Sequence, residues 1–131
     1  MDAPRPHLVF VYGTLKRGGS NHALLAGQTY VGPARLAPGH ALYSLGEYPG
    51  LVADPASPDR VTGEIWAVDT AGLAALDELE GLAQGLYARV PAVLDQWPDS
   101  LTAGSRHAAA QVYVYLRAIT GRPRLGDTWP I

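Results

Sequence analysis

The sequence contains no cysteine. This absence excludes disulfide bonds, thiolate metal ligands and a cysteine nucleophile, and it fits a reducing compartment. Long apolar runs are missing too, since none approaches the roughly 18 residues that a membrane-spanning helix needs. The first seven residues, MDAPRPH, lack the charged and then apolar order of a signal peptide. We therefore expect a cytoplasmic protein that does not enter a membrane.

Charge is also scarce, and neither sign accumulates along the chain. Charged residues make up 17% of the 131 positions, and the net charge is −2. There is no basic run that would attract a nucleic acid. The 47% share of apolar residues is instead typical of one globular domain. We expect that domain to span residues 1–131, with residues 1–6 and an irregular tail from about 118 at its periphery, and we take a monomer as the default.

Apolar runs that end at glycine or proline predict six or seven strands. The first, from Leu8 to Tyr12, is continuously apolar and indicates a strand covered on both faces. Residues 109–117 alternate cleanly, with valines on one face and Tyr113 and Tyr115 on the other. The other predicted strands span residues 28–36, 39–45, 50–53, 61–68 and 87–95.

Two short helices accompany these strands. Ser20 or Asn21 can cap the first, which runs through about Leu25, and Thr70 is a suitable N-cap for the second, from about 71 to 80. The order of elements is not the regular alternation of strand and helix found in doubly wound sheets. The sequence therefore predicts an α+β fold, with a small mixed β-barrel or strongly curved sheet and short flanking helices.

The motifs of most enzyme classes are missing. There is no G-x-S-x-G elbow, no dinucleotide-binding glycine fingerprint and no P-loop. No pair of the four histidines has the spacing of a helical metal site, so we expect no metal and no cofactor. A serine-based triad stays open, although nothing local indicates one. Carboxylates and backbone amides remain as the chemical groups to consider.

The second predicted helix carries three acids, whose faces follow from a turn of about 100° per residue. Its leucines define an apolar stripe; Glu80 falls inside that stripe, Asp77 on its border and Glu78 on the water side. An unpaired carboxylate on an apolar face has a raised pKa, which suits a general acid or base. Alternatively, Glu80 lies at a frayed helix end and turns to solvent. Glu64 is a rival acid, for which a paired structural role is the simpler interpretation.

The segment Tyr12-Gly13-Thr14-Leu15 follows the first strand. Gly13 permits a sharp turn or a close approach of another chain segment. The amides beyond the strand have no ladder partner and can form a concavity for a carboxylate or a developing oxyanion. The alternative is an ordinary junction between a strand and a turn. We expect a small anionic ligand at this loop.

Further residues are candidates for the wall of a pocket beside this loop. Tyrosines at strand positions more often belong to the core, although a buried hydroxyl needs a partner and a ligand can provide it. Asn21 can cap its helix or reach the loop, and capping is the simpler role. The candidate wall residues are Tyr48, Pro49, Tyr87, Tyr113 and Tyr115.

Five ordered blocks carry a resemblance to a known family. They are VFVYGTLKRG (9–18) with Asn21-His22, LYSLGEYPGLV (42–52), GEIWAVD (63–69), LDELEG (76–81) with Tyr87-x-Arg89, and VYVY (112–115). In their order and spacing they resemble the gamma-glutamylcyclotransferase-like superfamily over about residues 8–117. The first block is especially similar to gamma-glutamylamine cyclotransferase and its bacterial relatives. The stretch after about residue 118 has no clear counterpart in that pattern.

The resemblance implies a small β-barrel with flanking helices and an enzyme of acyltransferase or cyclising amide lyase type. The implied substrate is a gamma-glutamyl amine or amide, whose own α-amino group attacks the γ-carbonyl to release the amine and 5-oxoproline. Residues Tyr12 to Leu15 would hold the glutamyl part. The implied catalytic glutamate is Glu80, the acid that the helical periodicity already turns inward. Because the nucleophile belongs to the substrate, the resemblance implies no cofactor.

Two other functions stay open at this point. One is a non-catalytic module of the same fold that binds a small molecule, and it would show ligand binding without product. The other is a protein-interaction domain, which would require a large exposed apolar patch. The sequence shows no obvious patch of this kind.

Overall fold

The computed structural model describes residues 6–101 and 110–130. The strands in this part of the chain are β1 (His7–Val11), β2 (Thr29–Leu36), β3 (His40–Ser44), β4 (Pro49–Ala53), β5 (Thr62–Val68), β6 (Tyr87–Pro91), β7 (Leu94–Gln96) and β8 (Ala110–Tyr115). One α-helix, α1, lies in the described ranges and spans Thr70–Leu79. Two short 3₁₀ helices cover His22–Leu25 and Leu82–Gln84.

Six strands form a mixed sheet in the order β6-β8-β1-β5-β2-β7, and β3 and β4 form a separate hairpin. Strand β1 is internal, parallel to β8 and antiparallel to β5. Its side chains alternate between two core clusters, with Leu8 and Phe10 in one and Val9 and Val11 in the other. The prediction that this strand is covered on both faces is therefore confirmed.

The segment predicted as one strand over residues 87–95 is two strands at opposite edges of the sheet. Only Ala92 and Val93 lie between β6 and β7. The Ala92 amide donates to Ala110 O at 2.8 Å, and Val93 O accepts from the Ala37 amide at 2.8 Å. Because two residues join opposite edges, the sheet must curl strongly. The single strand was thus a wrong prediction, whereas the α+β fold with a strongly curved, half-barrel sheet is confirmed.

Helix α1 packs its buried Leu73 and Leu76 into the cluster that contains Val9 and Val11. Its N-cap is Asp69, whose Oδ1 accepts a hydrogen bond from the Gly72 amide at 2.6 Å. The prediction of Thr70 as the cap was wrong by one residue, because the Asp69 carboxylate already satisfies the first turn. The helix therefore fixes its last turn against one face of the sheet.

The carboxy-terminal stretch docks on both sheets. The Leu125 amide donates to Leu42 O at 2.8 Å, and Asp127 O accepts from the Thr62 amide at 2.7 Å. Leu125 and Trp129 pack against the cluster that contains Leu8 and Phe10. The tail therefore belongs to the packed structure as far as Trp129, while the prediction for residues 1–5 lies outside the described residues.

Candidate active site

The loop that follows β1 turns sharply at its start. The Lys16 amide donates to Gly13 O at 3.1 Å, and Thr14 O accepts from the Asn21 amide at 2.9 Å. Among the described residues, the amides of Gly13, Thr14 and Leu15 have no hydrogen-bond partner. Three consecutive N–H groups are thus available to an anion or a polarised carbonyl.

Gly13 is required by a close approach rather than by an unusual backbone angle. A Cβ atom at this position would lie 2.6 Å from Pro49 Cγ and 2.8 Å from Pro49 Cδ. Pro49 begins β4, so the loop after β1 is pressed against the hairpin of β3 and β4. The glycine therefore allows two sequence-distant segments to meet at the predicted site.

Asn21 does not cap the short helix that follows it, and its predicted capping role was wrong. No side-chain capping bond is formed at its position. Instead, its Nδ2 donates to Thr14 Oγ1 at 2.9 Å. Together with the bond from its own amide to Thr14 O, this contact fixes Thr14 from two sides. Asn21 thus takes the other role considered for it and reaches the ligand loop.

Glu80 lies at the carboxy-terminal end of α1. Its amide donates to Leu76 O at 2.9 Å, which continues the helical turn, and Gly81 then leaves the helix with a left-handed φ of 65°. Burial raises the pKa of the Glu80 carboxyl to about 7. Within the described ranges, no side chain or backbone amide donates a hydrogen bond to this carboxyl. The helical periodicity therefore predicted its inward direction correctly, and desolvation supplies the shift.

Three tyrosine hydroxyls are fixed around the same region. Tyr87 Oη donates to Pro49 O, Tyr12 Oη donates to Tyr113 O, and Tyr113 Oη donates to Asp77 Oδ1, each at 2.7 Å. Burial raises the pKa of all three phenols well above the ordinary value. These side chains are therefore neutral and rigidly oriented at physiological pH.

One cavity of about 310 Å³ brings these groups together. It contains Glu80, the loop from Tyr12 to Leu15 and nearly all of the predicted wall. Its lining residues are Phe10, Val11, Tyr12, Gly13, Thr14, Leu15, Asn21, Tyr48, Pro49, Leu79, Glu80, Leu86, Tyr87 and Tyr113. The structure thus places the candidate acid and the loop amides around one space of small-molecule size. Their roles in a reaction stay predictions.

Tyr115 is the predicted wall residue that does not line this cavity. Its ring centroid lies 5.2 Å from that of Tyr87. It also lies so close to Gly50 that a Cβ there would come within 3.1 Å of its ring. Tyr115 therefore supports the wall from behind and does not face a ligand.

Asp77 and Arg89, to which the sequence pattern assigns no role, form an ion pair beside the cavity. Arg89 Nε and Nη2 donate to the two carboxylate oxygens of Asp77 at 2.9 and 3.1 Å. Arg89 Nη1 also donates to Gln111 Oε1. The available signal was the position of Asp77 at the border of the apolar stripe, three residues before Glu80. The pair joins the last turn of α1 to β6 and β8.

Glu64, the rival acid, lies outside the cavity and is fully engaged. It accepts hydrogen bonds from the Arg17 amide at 3.1 Å, from Arg17 Nε at 3.2 Å and from Trp66 Nε1 at 3.1 Å. The paired structural role is therefore the correct interpretation. In the part of the chain that the structure describes, no cluster of metal-ligating side chains is present, and His107 lies outside that part. No helix there is long and apolar enough to cross a membrane.

The family model described as "Gamma-glutamyl cyclotransferase, AIG2-like" matches residues 9–130. The chain therefore belongs to this family, as its five sequence blocks indicated. The match also corrects the extent of the resemblance, because it includes the docked tail after about residue 118, which has no clear counterpart in the sequence blocks. The tail is part of the family's fold.

Individual relatives agree with this membership. Human gamma-glutamylaminecyclotransferase is 40% identical over 121 residues, which cover 85% of this chain and 78% of the human protein. A curated relative from Vibrio cholerae is 51% identical over 74 residues, or 56% of this chain and 62% of its own length. The matched region thus spans less than two thirds of the bacterial relative.

The fold is also shared with solved structures. The crystal structure of an AIG2-like protein from Mus musculus has a TM-score of 0.68 at 28% identity. The comparison covers 92% of this chain and 86% of the mouse protein. The half-barrel fold is therefore an architecture already seen by experiment.

Proposed function

We propose that the protein is a gamma-glutamyl cyclotransferase, which converts a gamma-glutamyl amine or amide into 5-oxoproline and the free amine. The observation that carries this proposal is Glu80, a carboxyl with a pKa of about 7, in one cavity with three loop amides. Neither the carboxyl nor these amides have a hydrogen-bond partner among the described residues. Membership of the family and the name of the human relative support the same reaction.

The reaction needs no nucleophile from the protein. The α-nitrogen of the substrate forms a bond to the γ-carbon, and the bond from that carbon to the leaving nitrogen breaks. The α-ammonium group loses two protons as it becomes the ring amide N–H. The leaving nitrogen gains two protons as it departs as an ammonium ion. The net proton count is unchanged, so a single group that shuttles protons is sufficient.

Glu80 has the properties that this shuttle requires. With a pKa of about 7, its carboxylate accepts a proton from the α-ammonium group and its acid form donates to the leaving nitrogen. A pKa near the working pH favours both directions of transfer. Such catalysis typically contributes about 10²–10⁴-fold in rate. Because the described residues donate no hydrogen bond to Glu80, its oxygens are available to the substrate.

The loop amides supply binding and orientation. The N–H groups of Gly13, Thr14 and Leu15 suit the α-carboxylate or the oxyanion that develops on the γ-carbonyl. Holding the flexible glutamyl chain in a bent conformation brings the α-nitrogen close to the γ-carbon, which is a large potential source of rate enhancement. The contact between Asn21 and Thr14 stiffens this loop.

The leaving amine would extend toward the mouth of the cavity. Leu79 and Tyr48 line the cavity and are also 38% and 41% exposed, so they mark where it opens to solvent. An apolar opening of this kind accommodates amine substituents of varied length. It does not by itself select one amine.

The test is a panel of gamma-glutamyl amines and amides, followed by measurement of 5-oxoproline. We expect product with at least one class of amine, and a loss of about 10²–10⁴-fold in kcat for Glu80→Gln. Glu78→Gln is the matched control, because Glu78 lies on the same helix and is exposed. Equal product from wild type and Glu80→Gln would overturn the proposed role of Glu80. Binding without product across the whole panel would favour a non-catalytic module.

A further inference from the structure

Three of the four tyrosines that line the cavity, Tyr12, Tyr87 and Tyr113, donate their hydroxyl hydrogens to protein oxygens. Tyr87 Oη donates to a backbone carbonyl, and Tyr113 Oη donates to the carboxylate of Asp77. Carbonyl and carboxylate oxygens can only accept, so each tyrosine must be the donor. The oxygen of each tyrosine therefore offers only lone pairs to any other group.

Tyr12 differs from the other two tyrosines. Its hydroxyl donates to Tyr113 O and also has a hydrogen bond with the backbone of Leu51, and the side chain is buried. Its hydrogen-bonding capacity is therefore used within the protein, and it serves to hold the backbone of β8. The oxygens of Tyr87 and Tyr113 are the ones left for a ligand.

The orientation of Tyr113 is enforced by a charged pair. Asp77 is fixed by two hydrogen bonds from Arg89, which itself donates to Gln111. The ion pair balances the charge of Asp77, and its rigid fork geometry keeps both carboxylate oxygens in place. Tyr113 thus cannot turn its hydrogen toward the cavity without losing a charge-assisted bond.

The charge of Glu80 acts on the same two tyrosines. After burial, its negative charge is a further cause of the raised pKa of Tyr87, and it contributes in the same direction at Tyr113. Glu80 is also the one charged side chain among the described residues that line the cavity. The cavity therefore combines the Glu80 carboxylate with the Tyr87 and Tyr113 oxygens, which can only accept.

We propose that the hydroxyl oxygens of Tyr87 and Tyr113 and the carboxylate of Glu80 form a subsite for a primary ammonium group. An ammonium group presents three N–H donors and no acceptor, which matches three acceptors. Given the proposed function, on which this assignment rests, the group is the α-ammonium of the substrate. The loop amides then bind the acceptor groups of the substrate, which are the α-carboxylate or the γ-carbonyl oxygen. The cavity thereby sets the direction of the glutamyl chain.

The experiment compares two ligands that differ only in this group, L-glutamine and glutaramate, by calorimetry. The measurement is made at pH 8, above the Glu80 pKa of about 7, so that the carboxylate is present. We expect L-glutamine to bind roughly 10-fold more tightly or better, because hydrogen bonds to a charged group are the stronger kind. Tyr87→Phe and Tyr113→Phe should each reduce that ratio several-fold.

Glutaramate also controls for structural damage. A variant that merely distorts the cavity would weaken both ligands equally, whereas loss of an ammonium acceptor weakens L-glutamine alone. Tyr43→Phe, on β3 and outside the cavity, is the matched variant and should keep the wild-type ratio. Two separate phenylalanine variants are used so that one folding failure does not prevent the measurement.

Two results would overturn the subsite. One is equal affinity of the wild type for the two ligands, including no binding of either. The other is an unchanged ratio in both phenylalanine variants. A parallel assay of 5-oxoproline from the gamma-glutamyl amine panel separates this inference from the proposed function. If 5-oxoproline forms but L-glutamine and glutaramate bind equally well, the subsite is wrong and the proposed function stands. If L-glutamine binds more tightly but no 5-oxoproline forms from any amine, the proposed reaction is wrong and the subsite stands.

Discussion

Glu64 and Glu80 are two partly buried carboxylates of one small domain, yet their surroundings differ sharply. Glu64 accepts three hydrogen bonds from Arg17 and Trp66, and its side chain is 12% exposed. Glu80 has no donor among the described residues, and burial raises its pKa to about 7. The difference shows that burial alone does not make a carboxyl reactive. A missing partner makes it available to a substrate.

The largest expected effect is on the rate of the proposed reaction. We expect kcat of the wild type to rise with pH through about 7, as Glu80 becomes the carboxylate that accepts a proton. Glu80→Gln should lower kcat by about 10²–10⁴-fold, whereas Glu64→Gln should keep both kcat and its pH profile near those of the wild type. Rates of 5-oxoproline formation between pH 5 and 9 provide the measurement. If Glu64→Gln changes the pH profile of kcat and Glu80→Gln does not, Glu64 is the reactive carboxyl.

The next effect concerns the free energy of unfolding of the ligand-free protein. The folded-state pKa of Glu80 is raised from 4.5 to about 7, so the folded state binds more protons than the unfolded state between these values. The contribution of Glu80 to the free energy of unfolding is therefore fully present below about pH 4.5 and is lost as the pH rises through about 7. Glu80→Gln should remove this loss. The free energy of unfolding of the variant minus that of the wild type should therefore be larger at pH 8 than at pH 5 by up to roughly 3 kcal/mol.

Denaturant titrations of wild type and Glu80→Gln at the two pH values test this expectation. Glu78→Gln, at an exposed position of the same helix, provides the background pH dependence. If the free energy of unfolding changes between pH 5 and pH 8 by the same amount in wild type and in Glu80→Gln, Glu80 is not desolvated in solution. That result would remove the contrast with Glu64.

A smaller effect on the free energy of unfolding follows from enlarging Gly13. This residue lies in the loop that lines the same cavity as Glu80. A Cβ atom would clash with Pro49 at 2.6 and 2.8 Å. Gly13→Ala should therefore cost roughly 2 kcal/mol in the free energy of unfolding, as overpacking does, and should weaken ligand binding. Gly39→Ala is less suitable as a control because Gly39 has a positive φ. Ser20→Ala, at an exposed position, should leave both quantities unchanged.

The smallest effect belongs to the Glu64 pair itself. The Arg17 side chain is 57% exposed and bonds Glu64 Oε2 at 3.2 Å. A pair that is this open to solvent contributes about 1 kcal/mol or less. Arg17→Ala should thus change the free energy of unfolding only slightly and leave 5-oxoproline formation intact. A large loss of activity would mean that the Glu64 region contributes to the site after all.

Much of the fold could be predicted because local patterns agreed with the final packing. The apolar run of β1 needed two covered faces, and the alternation in β8 placed Tyr113 and Tyr115 on one face. Local patterns failed where a few residues decided the course of the chain. The turn at Ala92 and Val93 sends β7 to the opposite edge of the sheet, and no periodicity reveals such a turn.

The candidate site was predicted unevenly for a similar reason. Glu80 could be found because a helical repeat fixes the direction of each side chain. For Asn21 the sequence leaves a cap and a contact with the loop both open, because the Thr14 hydroxyl that it binds is seven residues away and outside any regular repeat. The sequence predicts no role for Asp77, because its partner Arg89 lies on β6 and meets the helix only after folding.

By itself, the sequence determined the central strand, the inward acid at the end of α1 and the glycine-containing loop, because each depends on short-range periodicity or on one residue's geometry. The tertiary structure alone decided that Glu80 has no partner among the described residues while Glu64 has three hydrogen bonds. It also decided that Tyr87 and Tyr113 donate their hydroxyl hydrogens to protein oxygens. Those properties depend on groups brought together from distant segments. Hydrogen bonding and desolvation at such meeting points set the pKa of a carboxyl, and a linear pattern does not specify them.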